Sequence, residues 1–196
     1  MPRVPGSCRS RSGTCSYHRS VLPTIPGDRI TLRPWRPGDA ADLYRAMQDP
    51  ETVRWMAIEL PYTIEDAEGF IAGTESAWTE KRAAHLVIAD GDDHLIGYLG
   101  VLSVEEEMRV VEIGYWVSAA HRGRGFATDA LRTAVAWAES ELRPERIELG
   151  MLAGNERSRR VAEKAGFVFD RSEPSGKLLD GKSVAEWIFS LERGRP

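Results

Sequence analysis

The sequence predicts a single α+β domain, in which a mixed, mostly antiparallel central sheet carries helices on both faces. Its length, 196 residues, suits one domain with a substantial core. Three consecutive segments rich in Val, Ile, Leu and Tyr occupy the middle of the chain, and helical segments both precede and follow them. The chain shows no internal repeat, so a solenoid or propeller is not expected.

The first part of the chain predicts one strand followed by helices. Apolar and polar residues alternate around Ile30 and Leu32, which indicates a short strand. Asp39, after a Pro-Gly turn, is placed to cap a helix, and Thr63 with Asp66 resembles a capping box that begins a longer one. The predicted helical segments cover residues 40–47, 51–56 and 63–81.

The second part of the chain predicts an antiparallel strand series and then alternating helices and strands. Tight turns join the first three strands, and Gly166 marks the end of the last helix. The predicted strands cover residues 85–89, 95–104, 109–117, 147–151, 167–171 and 184–191. One predicted helix has its apolar face at residues 127–138 and ends near residue 144, and another covers residues 155–164.

Residues 1–27 are predicted to be a disordered basic tail, and residues 28–193 to be the single domain. The basic residues of the tail stand among Ser, Gly and Pro without acidic or periodic apolar companions, and they are Arg3, Arg9, Arg11 and Arg19. The two cysteines, Cys8 and Cys15, also lie there. The domain is therefore expected to contain no disulfide, no thiolate metal site and no cysteine nucleophile.

The charge of the domain favours cationic partners. Without the tail, 22 basic residues stand against 30 acidic ones, so the domain carries about −8 where the whole chain carries −4. Such a surface attracts cationic acceptors and repels nucleic acid; solubility is the alternative explanation. No apolar run reaches the ~18 residues that a membrane span needs. We expect a soluble, cytoplasmic protein, monomeric or homodimeric, that binds neither nucleic acid nor membranes.

A glycine-rich turn between a strand and a helix predicts an anion site. Gly123 and Gly125 let the backbone approach a ligand, and the helix start supplies unpaired N–H groups and a positive dipole end. The turn alone is a weak signal, because many such turns are only tight turns. It lacks the Gly-Lys-Ser/Thr of a P-loop and the Gly-x-Gly-x-x-Gly of dinucleotide sites, which disfavours ATP and NAD.

Two spaced motifs resemble those of the GNAT superfamily of N-acetyltransferases. Arg122-x-x-Gly125-x-Ala127, after the strand Glu112 to Val117, looks like the pyrophosphate motif. Downstream, Asn155-x-x-Ser158 leading to Gly166-Phe167 is similar to the second cofactor motif. The resemblance extends from about residue 29 to 191, and it implies a sheet that splays at an acetyl-CoA site, with acetyl-CoA as co-substrate and no metal.

The resemblance also implies which residues hold the cofactor. The backbone of Trp116, Val117 and Ser118 would pair with the pantetheine amides. The pyrophosphate would lie on the turn formed by Arg122, Gly123, Arg124, Gly125, Phe126 and Ala127. Asn155 would contact pantetheine or a water near the thioester, and the side chains of Arg122, Arg124 and Lys164 would add charge-assisted contacts to phosphate, unless they are merely solvated.

Acetyl transfer to an amine needs a proton acceptor and a group that serves the leaving thiolate. Because the domain lacks cysteine, direct attack in a ternary complex is favoured over an acetyl-enzyme. Glu112 is the first candidate base, since its neighbours Val110, Val111 and Ile113 would raise its pKa by desolvation. The alternative is that Glu112 is an exposed strand residue.

The second motif has Ser158 three residues after Asn155, which resembles the Rim-type branch that acetylates N-terminal amines of ribosomal proteins. Many superfamily members have a tyrosine seven residues after the asparagine, where this chain has Ala162. Ser158 would then serve the thiolate, although it is also consistent with an ordinary helical serine. Asp170, three residues after Phe167, is a second candidate base. His85, His94 and His121 have no spacing typical of a metal site.

The acceptor is less well defined. Trp55, Met56 and Tyr62 resemble acceptor-side residues of the superfamily, although an aromatic cluster is more often core. The acidic turn at residues 105–107 would attract a cationic acceptor or be a plain exposed loop. We expect the α-amine of a protein or peptide as acceptor. The alternatives are a small amine, such as a polyamine, aminoglycoside or amino acid, and a non-catalytic acyl-CoA-binding sensor.

Overall fold

The computed structural model describes residues 21–56, 58, 60–102, 110–179 and 181–192. In these residues eight strands form one sheet, and five α-helices accompany it. The strands are β1 (Ile25–Pro26), β2 (Thr31–Pro34), β3 (Ala83–Ala89), β4 (Leu95–Leu102), β5 (Val110–Val117), β6 (Arg146–Leu152), β7 (Val168–Leu179) and β8 (Lys182–Glu192). The helices are α1 (Ala40–Ala46), α2 (Pro50–Met56), α3 (Ile64–Thr79), α4 (Phe126–Glu141) and α5 (Glu156–Lys164).

The sheet has the order β1-β2-β3-β4-β5-β6-β8-β7, and it confirms the predicted fold class. Six of its neighbouring pairs are antiparallel, and only β5 and β6 run parallel. A parallel pair needs a long crossover, which α4 provides. None of the helices in the described part of the chain is long and apolar enough to cross a membrane.

Residues 21–27 of the predicted tail are among the described residues, and they contact the domain. Ile25 and Pro26 pair with β2, and Leu22 is buried in the core. The first twenty residues of the predicted tail, with Cys8 and Cys15, lie outside the described residues, and so does the acidic turn at 105–107.

Helices pack on both faces of the sheet. On one face, α1 and α3 cover a core cluster that includes Val87, Tyr98 and Trp116. On the opposite face, α4 and α5 cover a cluster that includes Ile113 and Leu149. We call these the α1/α3 face and the α4/α5 face. Because side chains alternate along a strand, each strand residue belongs to one of these two faces.

The predicted capping box of α3 is present. The Thr63 hydroxyl accepts a hydrogen bond from the Asp66 N–H at 3.2 Å, and the Asp66 carboxylate accepts one from the Thr63 N–H at 2.8 Å. This reciprocal pair satisfies two N–H groups that the helix itself leaves without partners.

Asp39 has a different role from the predicted one, because its side chain makes no capping hydrogen bond to α1. It accepts two hydrogen bonds from the Arg33 guanidinium, at 2.8 and 2.9 Å, and one from the Arg36 N–H. Arg33 and Asp39 are both buried, with side chains 3% and 9% exposed. The hydrogen bond that Arg33 donates to Asp39 is the main reason that the pKa of Arg33 is raised. The carboxylate therefore compensates a buried charge rather than a helix end.

The parallel pair comes apart halfway along its length. Residues Val110 to Ile113 of β5 pair with Arg146 to Leu149 of β6, and the pairing stops there. Beyond that point β5 stays paired with β4 as far as Val117, while β6 stays paired with β8 as far as Leu152. The two strands thus form a fork, as the sequence resemblance implied, and the fork opens toward the start of α4.

Replacing Asp39 by Asn tests the buried ion pair. We expect the free energy of unfolding to fall by roughly 3–5 kcal/mol, because the Arg33 guanidinium stays buried without its carboxylate. Urea unfolding followed by circular dichroism measures the change. Asp93→Asn is the control, since Asp93 also bonds Arg33 but is half exposed, and Asn tolerates its positive φ. Equal losses in the two variants would contradict the assignment.

Candidate active site

The turn before α4 has the backbone geometry of an anion site. Gly123 and Gly125 have φ angles of 75° and 85°, a region that residues with a side chain rarely adopt. Among the described residues, apart from the glycine and its two chain neighbours, no atom lies within 4 Å of the position that a Cβ on Gly123 would take, so the surface there is open. Gly125 is the N-cap of α4, whose first N–H groups have no partners within the helix. The turn therefore presents donors and a positive dipole end to an approaching anion.

Two arginines flank this turn. The guanidinium of Arg29 donates a hydrogen bond to the Arg124 carbonyl at 3.1 Å, and it lies 2.8 Å from where a Cβ on Gly125 would be. The guanidinium carbons of Arg29 and Arg124 are 5.3 and 5.0 Å from the centre of the Phe126 ring. Sequence reasoning missed Arg29, because no local pattern signals a contact across 95 positions of the chain.

The side chain of Arg122 makes its hydrogen bonds to other residues of the protein. Its guanidinium donates to Asp49 at 2.5 Å, to Glu51 at 2.8 Å and to Thr52 at 2.6 Å. Its Nε donates to the Val117 carbonyl at 3.1 Å. Burial alone would raise the pKa of Asp49, but the hydrogen bonds from Arg122 and Thr52 outweigh it, and the net pKa is lowered. Arg122 thus fastens α2 to the turn, and its predicted side-chain contact with phosphate would cost these bonds.

Glu51 extends this connection to α5. Its carboxylate accepts hydrogen bonds from Arg122 and also from Arg157, the latter at 2.7 and 2.8 Å. The start of α2 is therefore tied to both elements that follow the two arms of the fork. Of the predicted acceptor residues, Trp55 and Met56 belong to this helix, and both are half-buried.

The register decides which main-chain groups of β5 point into the fork. The Ser118 N–H donates to the Ile96 carbonyl of β4 at 2.9 Å. Main-chain groups alternate in direction along a strand, so those of Trp116 also point to β4, and those of Tyr115 and Val117 point to the fork. The Val117 carbonyl already accepts from Arg122. Of the three predicted residues, Val117 is the one whose N–H faces the fork.

A hydroxyl pair lies on the α4/α5 face of the fork. The hydroxyls of Tyr115 and Ser158 are 2.9 Å apart. Burial raises the pKa of Tyr115 to about 12, although the hydrogen bond with Ser158 acts in the opposite direction. Asn155 is the N-cap of α5, and its side-chain oxygen accepts from the Ser158 N–H at 3.1 Å. The motif spacing thus brings Ser158 to the fork through a helix cap.

Glu112 lies on the opposite, α1/α3 face, on the same side of β5 as Trp116. Its side chain is exposed. Of the three neighbours that were expected to desolvate it, Val111 and Ile113 turn their side chains to the other face of the sheet, because side chains alternate along a strand.

Asp170, the second predicted base, is held by arginines. Its carboxylate accepts from Arg171 at 2.7 Å and from Arg146. The hydrogen bond from Arg171 is the main reason that its pKa is lowered. Glu148 of β6 is held in the same way, by Arg171 at 2.9 and 3.0 Å and by Arg146 at 2.8 Å. Both carboxylates are therefore stabilised as anions, which makes them weak proton acceptors.

Two further predicted residues are Tyr62 and Lys164. Tyr62 packs against the α1/α3 core cluster and lines an open groove with Tyr44 and Gln48 of the α1 region. Burial, followed by the charge of Asp66, raises its pKa. Lys164 ends α5, where its carbonyl accepts from Arg132.

The histidines fall into separate environments. His121 Nδ1 is 2.8 Å from the Ser118 hydroxyl, and His85 Nδ1 is 2.8 Å from the Tyr98 hydroxyl. His94 lies beside Asp90 and Asp92 in the β3–β4 turn, a grouping that the sequence spacing did not suggest. The Asp90 carboxylate accepts the N–H groups of Asp92 and His94 at 3.0 Å, which explains why these residues are close together.

Comparison with known proteins agrees with this geometry. Residues 29–168 match the model of the acetyltransferase (GNAT) domain family. The N-acetyltransferase YoaA of Bacillus subtilis is 30% identical over 148 residues, which are 75% of this chain and 84% of YoaA. The ribosomal-protein-serine acetyltransferase of Escherichia coli is 33% identical over 91 residues, 45% of this chain and 50% of that protein.

Solved structures show the same fold. RimJ of Mycobacterium smegmatis, in complex with a CoA disulfide, superimposes with a TM-score of 0.78 at 23% identity, covering 87% of both chains. Spermidine N-acetyltransferase of Vibrio cholerae, in complex with CoA and spermine, superimposes with a TM-score of 0.74 at 18% identity, covering 84% of this chain and 95% of that one. The open turn at Gly123 and the fork fit a CoA thioester. The chain therefore belongs to the GNAT family of acetyltransferases, and it is an N-acetyltransferase with acetyl-CoA as its co-substrate.

Proposed function

We propose that this enzyme transfers the acetyl group of acetyl-CoA directly to a primary amine, and that the amine is the α-amine of a protein or peptide. One observation carries the proposal of direct transfer. The fork has a hydroxyl pair, Tyr115 and Ser158, on one face and a carboxylate, Glu112, on the other. Transfer to an amine needs both kinds of group, one to receive the proton of the amine and one to protonate the leaving sulfur.

The thioester end of the cofactor would lie in the fork. The N–H of Val117 and the main-chain groups of Tyr115 face this slot and are suited to pair with amides, in place of the hydrogen bonds that β6 no longer makes. The pyrophosphate would rest on the peptides of residues 122–127, at the start of α4. Arg29 and Arg124 would add positive charge there. The Lys164 side chain is proposed as a further cation that contacts phosphate.

In the proposed reaction the amine nitrogen attacks the thioester carbonyl carbon, and the carbon–sulfur bond breaks. Glu112 takes the proton that the amine loses. Ser158 gives its hydroxyl proton to the departing sulfur and regains one through Tyr115 or solvent. With a pKa of about 12, the Tyr115 hydroxyl stays protonated across the working pH range, so it can orient Ser158 as a donor. Asp170 is the less favoured base, since arginines hold it as an anion.

The choice of acceptor rests on the relatives and on the second motif. The Escherichia coli relative acts on a ribosomal protein, and Asn155 with Ser158 matches the Rim-type pattern. The spermidine enzyme favours a small-amine acceptor as the alternative, although at 18% identity it supports only the shared fold. A non-catalytic acyl-CoA sensor is the third possibility. The proposal includes a cytoplasmic enzyme that is monomeric or homodimeric, with Trp55, Met56 and Tyr62 on the acceptor side.

Measuring CoA release with three sets of acceptors tests the proposal. Unblocked peptides are expected to react, and their N-terminally blocked forms, which lack an α-amine, are not. Faster turnover of spermidine or of amino acids would transfer the assignment to small amines. Acetyl-CoA binding without turnover on any amine would support the sensor.

Replacing Glu112 by Gln tests the base. We expect turnover to fall by ~10²–10⁴-fold with little change in acetyl-CoA affinity, because the carboxamide cannot accept the proton. The rise of rate with pH should also flatten, since one group that must lose a proton has been removed. Steady-state kinetics across pH measure both effects. Glu65→Gln, on the exposed first turn of α3, is a control for charge alone. Near-normal activity of the Glu112 variant would move the assignment to another carboxylate or a water chain.

Replacing Ser158 by Ala tests the donor to the thiolate. We expect turnover to fall by about 10²-fold, because the departing sulfur then has to take its proton from water. Acetyl-CoA affinity should stay the same, as binding rests on the fork and the glycine turn. Ser140→Ala is the control, since Ser140 lies in α4 and, among the described residues, its hydroxyl bonds the Trp137 carbonyl of the same helix. Equal activity of the two variants would leave Ser158 as a structural helix residue.

Replacing Gly125 by Val tests the anion site. A Cβ there would lie 2.8 Å from the Arg29 guanidinium at a φ of 85°, so the turn has to change shape. We expect calorimetry to show weaker CoA binding. Gly181→Val, which imposes the same kind of strain at a φ of 76° in the β7–β8 turn, is the control. Unchanged CoA affinity of the Gly125 variant would refute the phosphate role of the turn.

A further inference from the structure

We propose that Glu186 of β8 binds the ammonium group of the acceptor, opposite Glu112, and holds it at the fork. The proposal rests on the function proposed above. It adds a second carboxylate to the site, with a role in binding rather than in proton transfer. No motif in the sequence singles out this residue.

The position of Glu186 follows from its contact with Gly150. One carboxylate oxygen of Glu186 lies 2.7 Å from where a Cβ on Gly150 would be. Gly150 is the first residue of β6 beyond the last pair with β5, Ile113 with Leu149. The carboxylate therefore lies on the β6 arm of the fork where the two strands part, and the missing side chain of Gly150 provides its space.

The sheet register also decides the face on which this carboxylate lies. Leu149 packs in the α4/α5 cluster, so Gly150, the next residue, faces the opposite side. Glu112 lies on that side too, directly across from Glu148, two residues before Gly150. Strand spacing and rise put the Cα atoms of Glu112 and Gly150 about 8 Å apart. Glu112 and Glu186 thus flank the fork on one face, from different arms.

The charges around Glu186 distinguish it from its neighbours. Arg171 binds three carboxylates of this part of the sheet, those of Glu148, Asp170 and Glu173. Within the described part of the chain, Glu186 has no hydrogen-bond or ion-pair partner, although it is only partly exposed. A partly buried carboxylate without a partner offers its oxygens to a bound cation as acceptors of charge-assisted hydrogen bonds. The arginines therefore leave the negative charge of Glu186, beside the fork, without a counter-ion.

An amine acceptor has the chemistry to fill this place. At neutral pH a primary aliphatic amine arrives as an ammonium ion, with three N–H donors and one positive charge. Glu186 would accept one or two of these hydrogen bonds and keep the nitrogen beside the thioester. Glu112 takes a first proton and passes it to solvent, which frees the lone pair of the nitrogen for attack, and it takes a second proton when the amide forms. Because Glu186 has no part in proton transfer in this proposal, its contribution appears in acceptor binding rather than in the rate of the reaction.

Glu186→Gln is the main test, with an unblocked peptide as acceptor probe and spermidine as a second one. We expect the KM for the better acceptor to rise by about 10- to 100-fold, because a charge-assisted hydrogen bond is lost. Turnover at saturating acceptor, its pH profile and the affinity for CoA should remain close to those of the unmodified enzyme. Glu173→Gln is the matched control, since it removes the same charge from the neighbouring strand position, which Arg171 already neutralises.

Gly150→Ala provides an independent test that leaves the charge in place. The added Cβ would displace the Glu186 carboxylate from the fork, so the KM for the amine should rise as in the Gln variant. An unchanged KM in Glu186→Gln, or a fall in turnover with a flattened pH profile, would overturn the binding role. If the unmodified enzyme acetylates neither probe nor any other amine, the proposed function fails, and the result is distinct from failure of this inference.

Discussion

The parting of β5 and β6 is the constraint on which the rest of the site depends. Two parallel strands that stop pairing leave main-chain N–H and carbonyl groups without partners, which is costly unless water or a ligand takes their place. Here β4 holds one arm through Val117, and β8 holds the other through Leu152. Neither arm can swing back without losing its own sheet bonds. The slot is therefore built into the register of the sheet, and a ligand with a chain of amides suits it.

The two faces of the fork carry different functional groups, hydroxyls on the α4/α5 face and carboxylates on the α1/α3 face. Tyr115 follows Gly114 along the arm, and alternation sends its hydroxyl to the α4/α5 face, where α5 brings Ser158 within 2.9 Å. Glu112 and Glu186 point the other way. The hydroxyl that donates a proton and the two carboxylates thus lie on opposite faces of the fork, where they do not hydrogen-bond to one another. A single strand residue more or less in this region would exchange the two faces.

Local patterns in the sequence predicted the elements and the cofactor motifs, because these depend on short-range geometry. The glycine turn before α4 and the Thr63–Asp66 capping box are of this kind. Contacts between distant segments were not predictable. Asp39 occupies a capping position, but a buried arginine competes for its carboxylate and wins. Arg29 and Glu186 lie at the site because of the order of the strands in the sheet, and a short stretch of sequence does not determine that order.

Arginine placement decides which carboxylates remain available for chemistry. The chain has 30 acidic residues, so acidity alone selects none of them. Asp49 and Glu51 are bound by Arg122, and Asp170 is bound by Arg171 and Arg146. An anion held by guanidinium groups is neither a good base nor a free ligand for an incoming cation. The site is thus defined as much by the ion pairs that exclude carboxylates from it as by the fork, and Glu186 lies where those ion pairs end.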